Sequence, residues 1–114
     1  MLPQITLPFY STAPSSPPAD FRGQNSSSTS IQLFWGDVPK VSINGILLGF
    51  HVACRRQNSS EIHFKDLGDG VKRYEFKRLE KFTNYSCRLR AYNNFGNGTW
   101  SGEVVILTDE DGML

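Results

Sequence analysis

Residues 79–93 constrain the fold of this chain more than any other stretch. Beyond the turn-like 79–84 segment the polarity alternates: Tyr85, Cys87, Leu89 and Ala91 fall on one side of an extended backbone, and Asn84, Ser86, Arg88 and Arg90 fall on the other. A period of two is that of a strand with one dry face and one wet face. A buried tyrosine needs a partner for its hydroxyl. The turn at 79–84 is placed to supply a backbone carbonyl.

The rest of the chain reads as strands that pair with this one or pack on it. Residues 19–24 predict a short first strand with Phe21 turned inward, and 25–28 is polar turn material. Ile31, Leu33 and Trp35 alternate with Gln32 and Phe34 in a half-buried strand that ends at Gly36-Asp37-Val38-Pro39. Asn44-Gly45 is a turn signal. A long strand over 48–56 puts Phe50, Val52 and Cys54 on one face and His51, Ala53 and Arg55 on the other. Residues 61–67 predict an edge strand with Ile62 and Phe64 inward and Glu61, His63 and Lys65 outward, the charges discouraging strand addition. Residues 71–77 follow with Tyr74 and Phe76 inward, and 100–108 close the domain with Val104 and Ile106 inward. About seven short strands with a turn signal roughly every ten residues predict an antiparallel sandwich, in which the tyrosine near the start of a late strand forms a tyrosine corner.

Composition narrows the functional classes. A length of 114 residues suits one domain, and a net charge of +1 gives no global field toward nucleic acid or acidic membrane. No apolar run is long enough for a membrane helix. The first five residues carry no basic charge and soon meet Pro8, which argues against a signal peptide and for a piece of something longer. Five prolines lie within the first 18 residues, so 1–16 reads as a linker, carrying at 5–10 the frayed last strand of an upstream domain. Residues 17–109 read as the folded domain and 110–114 as an exit linker. Asn25, Asn58, Asn84 and Asn97 each open an Asn-x-Ser/Thr sequon, where chance predicts about one; a glycosylated, secreted or cell-surface chain is set against composition alone, since serine runs follow Asn25 and Asn58.

Trp35, Asn44-Gly45 with Leu47 and Phe50, Leu79 with Thr83 and Tyr85, and then Ala91, Asn93, Gly96, Gly98, Ser101 and Thr108 form a constellation that resembles the fibronectin type III pattern. It covers nearly the whole domain. The resemblance implies an all-β, immunoglobulin-like sandwich of seven strands, three in one sheet and four in the other, serving as one module in a string. It implies that Trp35, Phe50, Leu79, Tyr85 and Leu89 form the structural core. It also places Cys54 and Cys87 nearly opposite each other on neighbouring strands of one sheet, facing inward, so they are either a disulfide or two buried thiols. Arg22-Gly23-Gln24 is not the Arg-Gly-Asp tripeptide, so direct integrin recognition has no support.

Arg88 and Arg90 point outward beside Trp100, and a stacked Arg–Trp surface contact is set against ordinary solvated arginines. Arg55, Arg56, Arg88 and Arg90 offer a basic stripe, or a simply solvated face. His51 and His63 read as exposed imidazoles without the spacing or third ligand of a zinc site. No nucleophile elbow and no phosphate loop occur, so the expectation is a non-catalytic module without metal or cofactor. Its expected partners are neighbouring domains of the parent chain and a protein ligand, with no nucleic acid and no membrane insertion, and the isolated domain is expected to be a monomer. Loops 36–45, 68–70 and 94–99 are the contact candidates, because a rigid sandwich leaves their sequence free. The expected location is the cell surface or extracellular space. A ligand-binding domain of the cytokine-receptor kind rests on Trp100-Ser101 alone, and an intracellular structural module is the third reading.

Overall fold

The computed structural model describes residues 12–109, so the strand read at 5–10 and the acidic exit at 110–114 lie outside the described residues. Two antiparallel sheets enclose one core. The first has the order β1 (Arg22–Ser27), β2 (Ser30–Phe34), β5 (Arg73–Phe76). The second has the order β4 (Ile62–Gly68), β3 (Leu47–Arg56), β6 (Asn84–Asn93), with β7 (Gly96–Asn97) and β8 (Val104–Leu107) both pairing with β6. β7 and β8 are two parts of one edge strand. Between them Gly98 N–H donates to the Ala91 carbonyl, and Ser101 N–H donates to that of Leu89. Counted this way, the described residues hold the seven strands of the sandwich.

The alternation in β6 is the axis of the core. Tyr85, Cys87, Leu89 and Ala91 are all 0% exposed. They share one core cluster with Ile31 and Leu33 of β2 in the other sheet, and with Phe50 and Val52 of β3 and Ile106 of β8 beside them in their own. Trp35 fills the space beyond β2, edge-on to Phe50 with ring centroids 5.9 Å apart, and its indole N–H donates to the Val71 carbonyl at 3.1 Å. Cys54 and Cys87 are register partners across β3 and β6, joined as a disulfide within the sheet. Gly23 in β1 faces inward, where a Cβ would sit 2.5 Å from Ile106 Cδ1 and 2.6 Å from Leu33 Cδ2, so a larger residue there would have to push those side-chain ends aside.

The structure departs from the sequence reading at several points. β1 begins at Arg22 and runs to Ser27, through residues read as turn, because Ser28 and Thr29 alone suffice to connect it to β2. The Tyr85 hydroxyl accepts a hydrogen bond, from the Glu80 N–H at 2.8 Å, rather than donating to a carbonyl. The Glu80 carbonyl is taken instead by the Thr108 hydroxyl at 2.8 Å.

β4 faces opposite to expectation. The register sets Leu67 beside Phe50, Lys65 beside Val52 and His63 beside Cys54, so these three share the core side, while Ile62 and Phe64 point outward, 55% and 53% exposed. β4 is the sheet's free edge, where the core thins out. There His63 covers it edge-on to Phe76 and Tyr85, and the Lys65 ammonium lies over the Tyr74 ring. Both side chains cover apolar surface with their stems and keep their polar ends wet.

Candidate interaction surface

Two regions of the molecule gather candidate contact side chains. The first is the end of the sandwich where loops 36–46, 68–70 and 94–99 meet. Asn93, 4% exposed, ties this end together. Its carboxamide donates to the carbonyls of Thr12 and Ile43 at 2.9 and 2.8 Å and accepts from the N–H groups of Phe95 and Gly96 at 2.8 and 3.1 Å. Asn44 donates to the Ala13 carbonyl, Asn94 accepts from the Ile46 N–H, and Ser15 N–H donates to the Ser42 carbonyl. Residues 12–16, read from sequence as the end of a linker, are therefore laid down on the loops, with Pro14 buried. Asp37 forms an ion pair with Lys72, whose hydrogen bond and charge hold the carboxyl below its usual range. Beside it, Val38, Pro39, Ile43 and Phe50 line an apolar hollow of about 390 Å3. Val41, Ile46 and Phe95 stand exposed at this end.

The second region is the outer face of the larger sheet. The break in the edge strand between Asn97 and Val104 lets Trp100 fold over β6, as irregular edges re-aim side chains elsewhere. Ser101 holds the break, its hydroxyl accepting from the Leu89 N–H at 3.0 Å. The guanidinium carbons of Arg88 and Arg90 lie 4.3 and 4.2 Å from the Trp100 ring centroid, so all three form one stacked group. Arg90 also donates from Nε to His51 Nδ1 at 3.0 Å. The His51 ring stacks on Tyr92 with centroids 4.4 Å apart and leans on Phe64 at 5.1 Å. The Tyr92 hydroxyl donates to Asp66 Oδ1 at 2.7 Å, and that same oxygen is 3.8 Å from His51 Nε2.

This arrangement fixes the protonation of the face. Burial, and then the charge of Arg90, lower the His51 pKa below 6.5 against the opposing pull of Asp66. A neutral ring with a bare Nδ1 is also what the Arg90 hydrogen bond requires. Donation to Asp66 is the first cause that raises the Tyr92 pKa. Burial, and then Arg88, lower that of Arg90, which stays charged all the same.

The sequence reading of both histidines as exposed is thus corrected, since each is half-buried against aromatic rings. So is the four-arginine stripe. Arg56 is the register partner of Tyr85 and turns to the opposite side of the sheet from Arg55, where its Nε lies 3.5 Å from Glu61 Oε1. Arg55 and Arg88 are exposed on the outer face, and Arg90 is engaged. The four sequon asparagines sit in different settings. Asn58 and Asn97 are exposed. Asn84 is half-exposed on the outer face, while Asn25 donates both its Nδ2 protons, to the Leu107 carbonyl at 2.9 Å and to Asp109 Oδ1 at 2.8 Å. The His51–Asp66–Tyr92 group and the Asn93 tie were not found from sequence. His51 and Tyr92 stack on the outer face, and Asp66 joins them only through the β3–β4 register.

The chain matches a family model described as the fibronectin type III domain over residues 16–106. It is 31% identical over 110 residues to the cell adhesion molecule DSCAML1 of Gallus gallus, a match that covers 95% of this chain and 5% of that protein. It is 33% identical over 103 residues to receptor-type tyrosine-protein phosphatase F of Danio rerio, covering 88% of this chain and 5% of the other. The chain therefore spans about a twentieth of the curated relatives it matches. Among solved structures, the third fibronectin III domain of the human KIAA0343 protein is similar with a TM-score of 0.81 at 25% identity, covering 90% of this chain and 89% of that one. Domains FN1–FN3 of chicken CNTN1 share the fold at a TM-score of 0.78 and 20% identity, over 87% of this chain and 33% of theirs.

Proposed function

The chain belongs to the fibronectin type III family, and from that premise we propose that it is a non-catalytic spacer and protein-interaction module in the extracellular part of a multi-domain receptor or adhesion protein. One observation carries the reading: nearly the whole chain aligns with about a twentieth of a cell adhesion molecule, the relation of one module to a long array. Four sequons and a cysteine pair in disulfide register fit an oxidising, glycosylating compartment. The module occupies residues 17–109 with residues 12–16 docked on it, and its flanks join neighbouring domains. A protein ligand would meet the three loops gathered at one end, where a rigid sandwich presents exposed apolar side chains beside the Asp37–Lys72 pair.

The test is secretion of the chain from animal cells, followed by intact mass before and after enzymatic deglycosylation and by thiol titration of the denatured, unreduced protein. The reading expects a loss of mass on deglycosylation and no free thiol. A chain without sugar whose two thiols both react defeats the extracellular assignment and leaves the family assignment untouched.

A further inference from the structure

The outer face of the larger sheet holds a trough with a specific origin. Ala53 on β3 and Ser86 on β6 are small residues on adjacent strands, each hemmed by larger neighbours. Ala53 pairs with Phe64 on one side and Arg88 on the other, and Ser86 pairs with Arg55 and Val105. Two adjoining hollows result, of about 240 and 170 Å3, which share Arg55, Ser86 and Glu103. Asn84 lines the second. The walls are apolar on both flanks: Ile62 and Phe64 on β4 are 55% and 53% exposed, and Val105 and Leu107 on β8 are 62% and 43% exposed. Four large apolar side chains on one open sheet face call for a cover.

Asn84 and Ser86 are the first and third residues of one sequon, and strand geometry puts them on the same face. Asn84 pairs with Leu107 in the ladder, and its carboxamide makes no hydrogen bond to the rest of the described chain. The Ser86 hydroxyl, sheltered in the trough, has no partner among the described residues either. We propose that Asn84 is an N-glycosylation site whose carbohydrate lies back along this trough and covers the exposed apolar face. This rests on the extracellular reading above. The bond forms between Asn84 Nδ2 and the anomeric carbon of a saccharide donor carrying a pyrophosphate leaving group. The bond from that carbon to the pyrophosphate breaks and one Nδ2 proton leaves, with no change of oxidation state. A pyranose ring suits the trough, because it offers C–H surface to Ile62, Phe64 and Val105 and hydroxyls to Arg55 and Glu103 on the polar floor and rim. Charge complementarity with a protein is poorer here, since Arg90 is already committed to His51 and Arg88 to Trp100.

Asn25 stands as the contrast. A glycosylated Nδ2 keeps one proton, so a sugar there would break one of the two bonds that tie β1 to the end of β8.

The test uses the whole chain secreted from animal cells. Glycopeptide mass spectrometry reads occupancy at each sequon, and acrylamide quenching of tryptophan fluorescence reads cover. Trp100 lines the trough, whereas Trp35 is buried at 3% exposed and supplies a constant background. The expected result is sugar on Asn84 and a rise in quenching when that sugar is lost through Ser86→Ala, Asn84→Gln or enzymatic trimming of the folded native protein. Asn58→Gln is expected to leave quenching unchanged. Trimming needs no refolding, so it decides the matter should either variant fail to fold. Sugar on Asn58 or Asn97 with Asn84 bare overturns the proposal and leaves the extracellular reading standing. No sugar anywhere overturns the proposal, and together with two reactive thiols it overturns the extracellular reading as well. Sugar on Asn84 with quenching indifferent to it also overturns the proposal, as does a dimer in light scattering that persists with the sugar in place and is broken by Phe64→Ser.

Discussion

Replacing Asn93 by alanine should loosen the whole loop end of the domain, at a cost that follows from its four hydrogen bonds. Each is of ordinary length, 2.8 to 3.1 Å, and the side chain is 4% exposed. A typical intramolecular hydrogen bond contributes about 0.5–1.5 kcal/mol net. Water can reach Thr12 and Phe95 once the tie is cut, which puts the total at about 2–4 kcal/mol, the lower part of the summed range. For a domain of this size that is a fall of roughly 10–20 °C in melting temperature. Urea unfolding measures the cost, and hydrogen exchange at the Phe95 and Gly96 amides locates it. Residues 12–16 should also become open to proteolysis, because their anchors on Asn93 and the loops go with it. Asn93→Asp sharpens the argument. A carboxylate keeps the two accepted bonds but sets negative charge against the Thr12 and Ile43 carbonyls, so the folded state favours the protonated acid. Its folded pKa is raised, and this variant must lose stability as pH rises through that pKa. If Asn93→Ala costs less than about 0.5 kcal/mol, the range of an ordinary surface change, the assignment of this residue as the tie is wrong.

Two further outcomes follow from the geometry. The His51 pKa is depressed below 6.5 in the folded protein, so the unfolded chain binds more protons once pH falls under that value; stability is complete above it and declines on acidification. The urea midpoint should therefore drop between about pH 7.5 and about pH 5.5, and His51→Gln, which can still accept from Arg90, should flatten that drop; an unchanged slope refutes the assignment. Opening the Cys54–Cys87 link, with its sequence separation of 33, should cost about 3–4 kcal/mol by loop entropy, read as a lower urea midpoint in reductant or in Cys54→Ala/Cys87→Ala; equal midpoints would show that the pair stabilises nothing.

The parts of the fold that could be read in advance are those where one chemical pattern decides alone. From Asn84 to Ala91 of β6 the dry face is apolar and the wet face polar, so no partner strand is needed to orient it. Trp35 is too large to leave in water at the end of an alternating strand, and its burial follows. β4 had no such clarity. Ile62 and Phe64 alternate with Glu61, His63 and Lys65, and hydrophobicity favoured the wrong set. The register with β3 overrode it, because a shift by one residue exchanges the two faces of a strand and an edge position needs little apolar surface on its inner side.

The surface divides in the same way. Arg88, Arg90 and Trp100 could be nominated from alternation and proximity in the chain, since Trp100 follows the hairpin that returns alongside β6. Asp66 beside His51, Arg56 turned away from Arg55, and Asn25 reaching β8 could not, for each depends on which strands lie side by side and in what register.

What the sequence by itself determined is the class of the fold and its central strand, because period-two burial and turn chemistry are local properties that each segment carries alone. What only the tertiary structure decided is which face of the edge strand is inner, what holds the loop end together, and which small residues open a trough beside Asn84. These depend on contacts between residues far apart in the chain, among them Asn93 with Thr12 and Asn25 with Leu107, and no local pattern encodes the pairing that brings them within reach.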